Sequence, residues 1–286
     1  MNKMNQRTTK TPEVESAVAA HYNAPGLANK ILRTLDQTGA DPKSLCVDDF
    51  APVDEFHVRG RESTAELAAM LELKKGAKVL DVGSGLGGTA RFLASEFETD
   101  VTGLDLTQSY CDAATRLSAQ VGLTDRTRFR QGSALALPFE DASFDVVWTE
   151  HVQMNIEDKR QFYAEALRVL RPAGQLVFHD IFEGSGGAIS FPVPWAADQS
   201  MSFLASANST RELLADLGLT EQTWVDTTET SARWFEMVIA RNKEAGGPPP
   251  LGLHLLMGES AKTKFANLAA GLREGRLATI QGVLRK

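Results

Sequence analysis

Apolar positions along this chain change period in a repeating order: a short aliphatic run, a cluster of turn residues, then a segment with apolar residues three or four apart. Val79, Leu80 and Val82 close the first run, and residues 100–104, 127–130, 144–149 and 175–181 read as further strands with helical spacing between them, as in residues 89–97. Strands alternating with amphipathic helices predict five parallel strands of an α/β sheet. Residues 222–228 and 277–284 read as two more strands. Before the sheet, the helical period of residues 14–35 breaks at Pro25-Gly26, which predicts two short helices, and Ser63-Thr64-Ala65-Glu66 resembles a capping box opening a helix to Leu73. After it, helices are expected over 196–205, 210–217, 231–244 and 253–273, the second closed by Gly218.

The junction of the first strand with its helix carries the chemistry. Gly83, Gly85 and Gly87 or Gly88 follow Lys78-Val79-Leu80-Asp81-Val82, so that the backbone can take positive φ and a ligand can approach without Cβ atoms in its way. A bare turn running into a helix N-terminus aims N–H groups at the ligand. Gly83-x-Gly85-x-x-Gly88 also fits the dinucleotide fingerprint, so spacing alone leaves the ligand open. The second strand, Val101-Thr102-Gly103-Leu104-Asp105-Leu106, ends in a carboxylate suited to both hydroxyls of a ribose.

Further along stand Phe129-Arg130-Gln131-Gly132-Ser133-Ala134, Leu137-Pro138-Phe139, Phe144-Asp145-Val146-Val147-Trp148 and Leu170-Arg171-Pro172-Ala173-Gly174-Gln175-Leu176-Val177. With Asp81-x-Gly83-x-Gly85-x-Gly87 before them, these motifs over residues 75–182 resemble, in kind and order, the small-molecule class I S-adenosylmethionine (SAM) methyltransferases. The resemblance implies a doubly wound, seven-stranded Rossmann-like sheet in the order 3-2-1-4-5-7-6, the last strand antiparallel, with helical lid elements at both ends. It also implies SAM as cofactor and S-adenosylhomocysteine as product. The cofactor contacts it implies are Tyr22, Asp81, Gly83, Ser84, Gly85, Asp105, Leu106, Ser133, Ala134 and Glu150. Ser133 departs from the pattern, for the family usually has an acid there to receive the adenine amino group; a hydroxyl accepts more weakly.

Methyl transfer from a sulfonium is mainly alignment, and a base is needed only where the acceptor must lose a proton. His151, just past the fourth strand, is the candidate base or substrate orienter; its alternative roles are helix capping and lining the methionine end of the cofactor. Asp180, ending the fifth strand, matches the residue that acts with such a histidine in similar O-methyltransferases, whereas its neighbour His179 is expected on the opposite face as a structural residue. His57, Met154, Asn155 and Trp195 are candidate substrate contacts. Arg59 and Arg61 read as solvated charge, Trp234 and Phe235 as core, and Phe191 with Trp195 as an aromatic lid. Residues 54–67, the His151 segment and the 191–195 loop resemble the sarcosine/dimethylglycine N-methyltransferases, while a His151–Asp180 pair would favour an O-methyltransferase of a secondary metabolite. A C-methyltransferase and a SAM-binding partner protein without turnover remain as alternatives.

The 286 residues divide into a polar, mobile stretch 1–14, a helical cap 15–74, and a core 75–286 with lid insertions at about 186–210 and 230–275. A net charge of -7 disfavours a nucleic-acid footprint. Cys46 and Cys111 have no metal-ligand or redox spacing, and no apolar run is long enough for a membrane span, so a small-molecule enzyme of the reducing cytoplasm is expected, with no metal and no membrane partner.

Overall fold

Seven strands form one sheet in the order β3-β2-β1-β4-β5-β7-β6 in the computed structural model, which describes residues 11–286. The strands are β1 (Lys78–Val82), β2 (Asp100–Asp105), β3 (Thr127–Gln131), β4 (Phe144–Glu150), β5 (Leu170–Glu183), β6 (Thr220–Asp226) and β7 (Leu277–Arg285). β1 to β5 run parallel, and β7 is antiparallel to both β5 and β6. This is the expected fold, order included.

Helices cover both faces because successive strand residues point to opposite sides. Leu80 and Val82 join Val147, Leu176 and Phe178 in one apolar layer, while Val79, Val101, Val146, Trp148 and Val177 join the other. Central strands buried on both faces read as continuous apolar runs, which is why they are visible in the sequence.

The cap contains α1 (Thr11–Tyr22), α2 (Leu27–Gln37), α3 (Ala51–Asp54) and α4 (Arg61–Ala68). Within the doubly wound part, α5 (Gly88–Glu96), α6 (Gln108–Gln120) and α7 (Lys159–Val169) connect the parallel strands. Past β5 come α8 (Ala207–Asp216), α9 (Thr228–Glu244), α10 (His254–Met257) and α11 (Ala261–Arg273). Ile31, Leu35 and Phe50 pack the cap against Tyr110 and Leu117 of α6, and Val18, Trp195, Phe235 and Leu268 form a separate cluster over the sheet's carboxyl edge. No described helix is long and apolar enough to cross a membrane.

Local chemistry overrides several expectations. The expected mobile stretch lies outside the described residues as far as residue 10, but α1 already begins at Thr11. No capping box opens α4: it starts at Arg61 behind Gly60, and Ser63 sits inside the helix, bonding back to the Gly60 and Val58 carbonyls. Glu66 is instead taken by Arg59. Gly258, at φ 65°, divides the expected last helix into α10 and α11. Between Trp195 and Ala207 only a single 3-10 turn, Gln199–Met201, forms, because the Asn155 amide draws the Trp195 and Met201 carbonyls to itself.

Candidate active site

The carboxyl ends of β1, β2 and β4 open into a cavity roofed by α1 and by residues of the 191–195 loop, α9 and α11. Gly83 and Gly85 form its floor, with φ of 76° and 52°. A Cβ on Gly83 would stand 2.2 Å from Val152 Cγ2, whereas one on Gly85 would meet nothing within 4 Å. Gly83 is thus bare so that the β4 loop can approach, and Gly85 leaves open the space that a ligand needs.

Asp105 lies at the end of β2, with Oδ2 accepting the Gly85 N–H at 2.9 Å and Oδ1 the Thr107 N–H at 2.8 Å. Each oxygen keeps a second lone pair for a vicinal diol. Burial raises its pKa, against these two backbone bonds.

Glu150 ends β4 and is held by Thr89 Oγ1 at 2.8 Å and the Trp148 indole N–H at 2.9 Å. His57 reaches in from the cap, its Nε2 2.8 Å from Glu55 Oε2 and 3.7 Å from Glu150 Oε1. Burial opposes charge on His57, but Glu150 and Glu55 prevail and raise its pKa to about 9. Burial likewise opposes ionisation of Glu55, yet His57 and Arg61 hold it at about 2. Arg59 and Arg61 are accordingly not solvated charges: the Arg59 side chain is buried against Glu62 and Glu66, and Arg61 pairs with Glu55.

His151 follows at φ 53°, a left-handed conformation uncommon for a side-chain-bearing residue. Its N–H donates to the His179 carbonyl at 2.8 Å, and the turn folds its ring over that of His179, centroid to centroid 4.9 Å. The ring lines the cavity, and Nε2 is buried without a hydrogen-bond partner among the described residues. Burial first, then His179 and His57, push its pKa well below the ordinary histidine value, so His151 is neutral.

The expected His151–Asp180 pair does not form. Asp180 Oδ2 accepts the N–H groups of Val152 at 3.2 Å and Gln153 at 3.1 Å, while Oδ1 accepts the Ile181 N–H. The reason is register: Glu150 pairs with His179 across β4 and β5, so His179 shares the His57 and His151 side, and Asp180 lies under the loop. His179 is therefore not on the opposite face from His151. The donors of His57, Glu150 and His179 lie within 4.8 Å of one another, but Glu150 and His57 Nε2 are already occupied by the hydrogen bonds above.

Of the other residues expected at the site, Tyr22, His57, Leu106, Ala134, Met154, Asn155 and Trp195 line the cavity. Tyr22 donates to Asn155 Oδ1 at 3.1 Å, which ties the cap to the β4 loop. Asp81, Ser84, Ser133 and Asp180 stand behind the wall. Asp81 is buried with Oδ2 unpartnered, its pKa raised well up by burial and then by Glu150, Glu55 and Asp105; Ser84 faces Gly103 of β2. Trp234 and Phe235, read as core, line the cavity, as do Glu15, Phe56 and Phe265. Glu15, Val18 and Tyr22 stand at i, i+3 and i+7, a spacing that marks one helix face in the sequence.

The site fits a cationic nucleoside. Glu15, Asp105 and Glu150 line it, whereas no Lys or Arg among the described residues does, and Asp81 and Glu55 lie close behind. An ammonium and a sulfonium would relieve that concentration of carboxyls, while a pyrophosphate would be repelled by it. With the 3-2-1-4-5-7-6 sheet, this makes a Rossmann-like site whose lining suits SAM.

Comparison with known proteins agrees. Residues 80–178 match the model of a family described as a methyltransferase domain. The tocopherol O-methyltransferase of Arabidopsis thaliana is 33% identical over 174 residues, which cover 59% of this chain and 50% of that protein. A sarcosine/dimethylglycine N-methyltransferase of Aphanothece halophytica is 32% identical over 143 residues, covering 50% and 52%. The chain thus spans about half the length of these curated relatives. Among solved structures, the geranyl diphosphate C-methyltransferase of Streptomyces coelicolor A3(2) superposes with a TM-score of 0.69 over 95% of this chain and 97% of that one, at 19% identity, a likeness of fold.

Proposed function

We propose that the protein is a SAM-dependent methyltransferase that methylates a hydroxyl of an apolar small molecule. The observation that carries this reading is the neutral Nε2 of His151, buried without a hydrogen-bond partner among the described residues, in a cavity lined largely by apolar side chains. Gly83, Gly85, Asp105, Glu150 and Tyr22 would hold the cofactor, which when bound supplies an electrophilic methyl group. Beyond them the wall is mainly Val58, Met154, Ile181, Trp195, Phe235 and Leu268; among the described residues no Lys or Arg lines it, and the charged His57 is already paired with Glu55 and Glu150 rather than free to meet an acceptor carboxylate or phosphate. That composition favours a neutral acceptor over sarcosine, and a tocopherol O-methyltransferase stands among the relatives.

The chain's own residues supply alignment, dryness and one proton acceptor. The apolar wall and the α1 roof exclude water, which strengthens every polar contact inside. His151 Nε2 accepts the hydroxyl proton as the oxygen attacks, and His57, already charged between Glu55 and Glu150, does not compete for it. Asp180 acts through the backbone, fixing Val152 and Gln153 and so the turn that carries His151.

The test follows S-adenosylhomocysteine release with apolar phenols and with sarcosine. Turnover confined to the phenols is expected, together with a roughly hundredfold loss in His151→Ala at unchanged S-adenosylhomocysteine affinity. Turnover of sarcosine in preference to every phenol would overturn the acceptor class. Loss of cofactor affinity alone in His151→Ala would make that residue a cofactor contact.

A further inference from the structure

Asp105 fixes where the ribose of a bound nucleoside sits, and the sheet order fixes the direction of the rest. β2 lies between β1 and β3, and the reactive end lies toward β4, where Glu150 and His151 stand. The base must therefore lie toward the end of β3. There the wall is made by Gly132 and Ala134, and Ser133 between them carries no charge. Its hydroxyl accepts the Leu135 N–H at 3.0 Å and donates closely to Glu15 Oε1 of α1. The Glu15 carboxylate lines the cavity, and its other oxygen has no partner among the described residues.

We propose that Glu15 receives the exocyclic amino group of adenine, so that base selectivity resides on the cap helix and not on the sheet. A carboxylate accepts from an amino group but repels the 6-oxo oxygen of hypoxanthine, which offers it only lone pairs. Ser133 orients the carboxylate. Val18 and Tyr22 continue the same face of α1 along the cavity, and α1 is tied down again by Tyr22 to Asn155 and by His21 Nε2 to the Pro194 carbonyl at 3.1 Å. Adenine recognition and docking of the cap thus become one event, each strengthening the other.

This assignment rests on the SAM reading above. Calorimetry with S-adenosylhomocysteine and S-inosylhomocysteine on the whole chain separates the two. The wild type should prefer the adenine ligand by tenfold or more. Glu15→Ala should lose roughly ten- to a hundredfold in affinity for it and lose the preference. Ser133→Asp added to Glu15→Ala should restore both by returning an acid to the same edge. Glu15→Gln, which keeps the side chain's size and can donate to a 6-oxo group, should move the preference toward the inosine ligand. Unchanged affinity and preference in Glu15→Ala and Glu15→Gln would overturn the role of Glu15 while leaving SAM binding intact. A wild type that binds neither ligand would overturn the SAM reading and this assignment with it.

Discussion

His151 combines two features that rarely meet by accident: a left-handed backbone and a buried ring nitrogen with no hydrogen-bond partner among the described residues. A strained residue persists only where its surroundings over-determine it, here through the His179 carbonyl and the Asp180-anchored loop. Because burial and the two neighbouring histidines keep its pKa well below the ordinary value, the proposed base is already deprotonated at neutral pH. kcat/KM for the acceptor should therefore stay flat between about pH 6.5 and 8, where an ordinary histidine would still be titrating. A rising limb centred near 6.5 in the pH–rate profile would remove His151 as the base. Asp105 offers a second test, since both its oxygens brace backbone N–H groups at the cavity floor. Asp105→Ala should cost on the order of a hundredfold in S-adenosylhomocysteine affinity by calorimetry.

Among the elements, the strands were legible and the family resemblance supplied their order, but the residue-by-residue register between neighbours was not legible. β1 to β5 announce themselves because burial on both faces demands apolar runs, and the Gly83 turn because φ above zero demands glycine. The Gly83→Ala change should abolish cofactor binding, because its Cβ would force Val152, and with it the loop carrying His151, away from β1; native-like circular dichroism with lost binding is the expected pair of results. By contrast, the choice between His179 and Asp180 hangs on a single step of β4–β5 register, which alternation along one strand cannot supply. The α4 start was misread for a related reason: Ser63 and Glu66 have capping-box spacing, but the buried Arg59 captures the glutamate. Glu15 was missed although it lies on the Tyr22 face, because a single glutamate on an N-terminal helix looks like surface charge until its partner Ser133, just past β3, is seen.

For the whole molecule, the cap is fastened to the sheet by ionisable groups, so its stability should follow pH. His57 joins cap Glu55 to sheet Glu150, and its pKa is raised from the ordinary 6.5 to about 9. A group whose folded pKa is raised binds protons better when folded, so its contribution is full below pH 6.5 and is lost as pH rises through 9. Other groups act at the margins of that window. Asp180, raised to about 7 by burial, finishes losing its contribution near neutrality, and Lys159, lowered by burial to about 8, begins to act in the opposite sense above that value. Groups that wild type and His57→Gln share, the raised Asp81 among them, act in both proteins, so the difference between the two is what reports His57. In urea unfolding, the stability gap between wild type and His57→Gln should shrink as pH rises from 7 to 8, and by on the order of 3 kcal/mol over the full span from 6.5 to 9. Parallel slopes for the two proteins would mean that His57 is neutral in the folded state, and that hydrogen bonds without charge hold the cap to the sheet at this point.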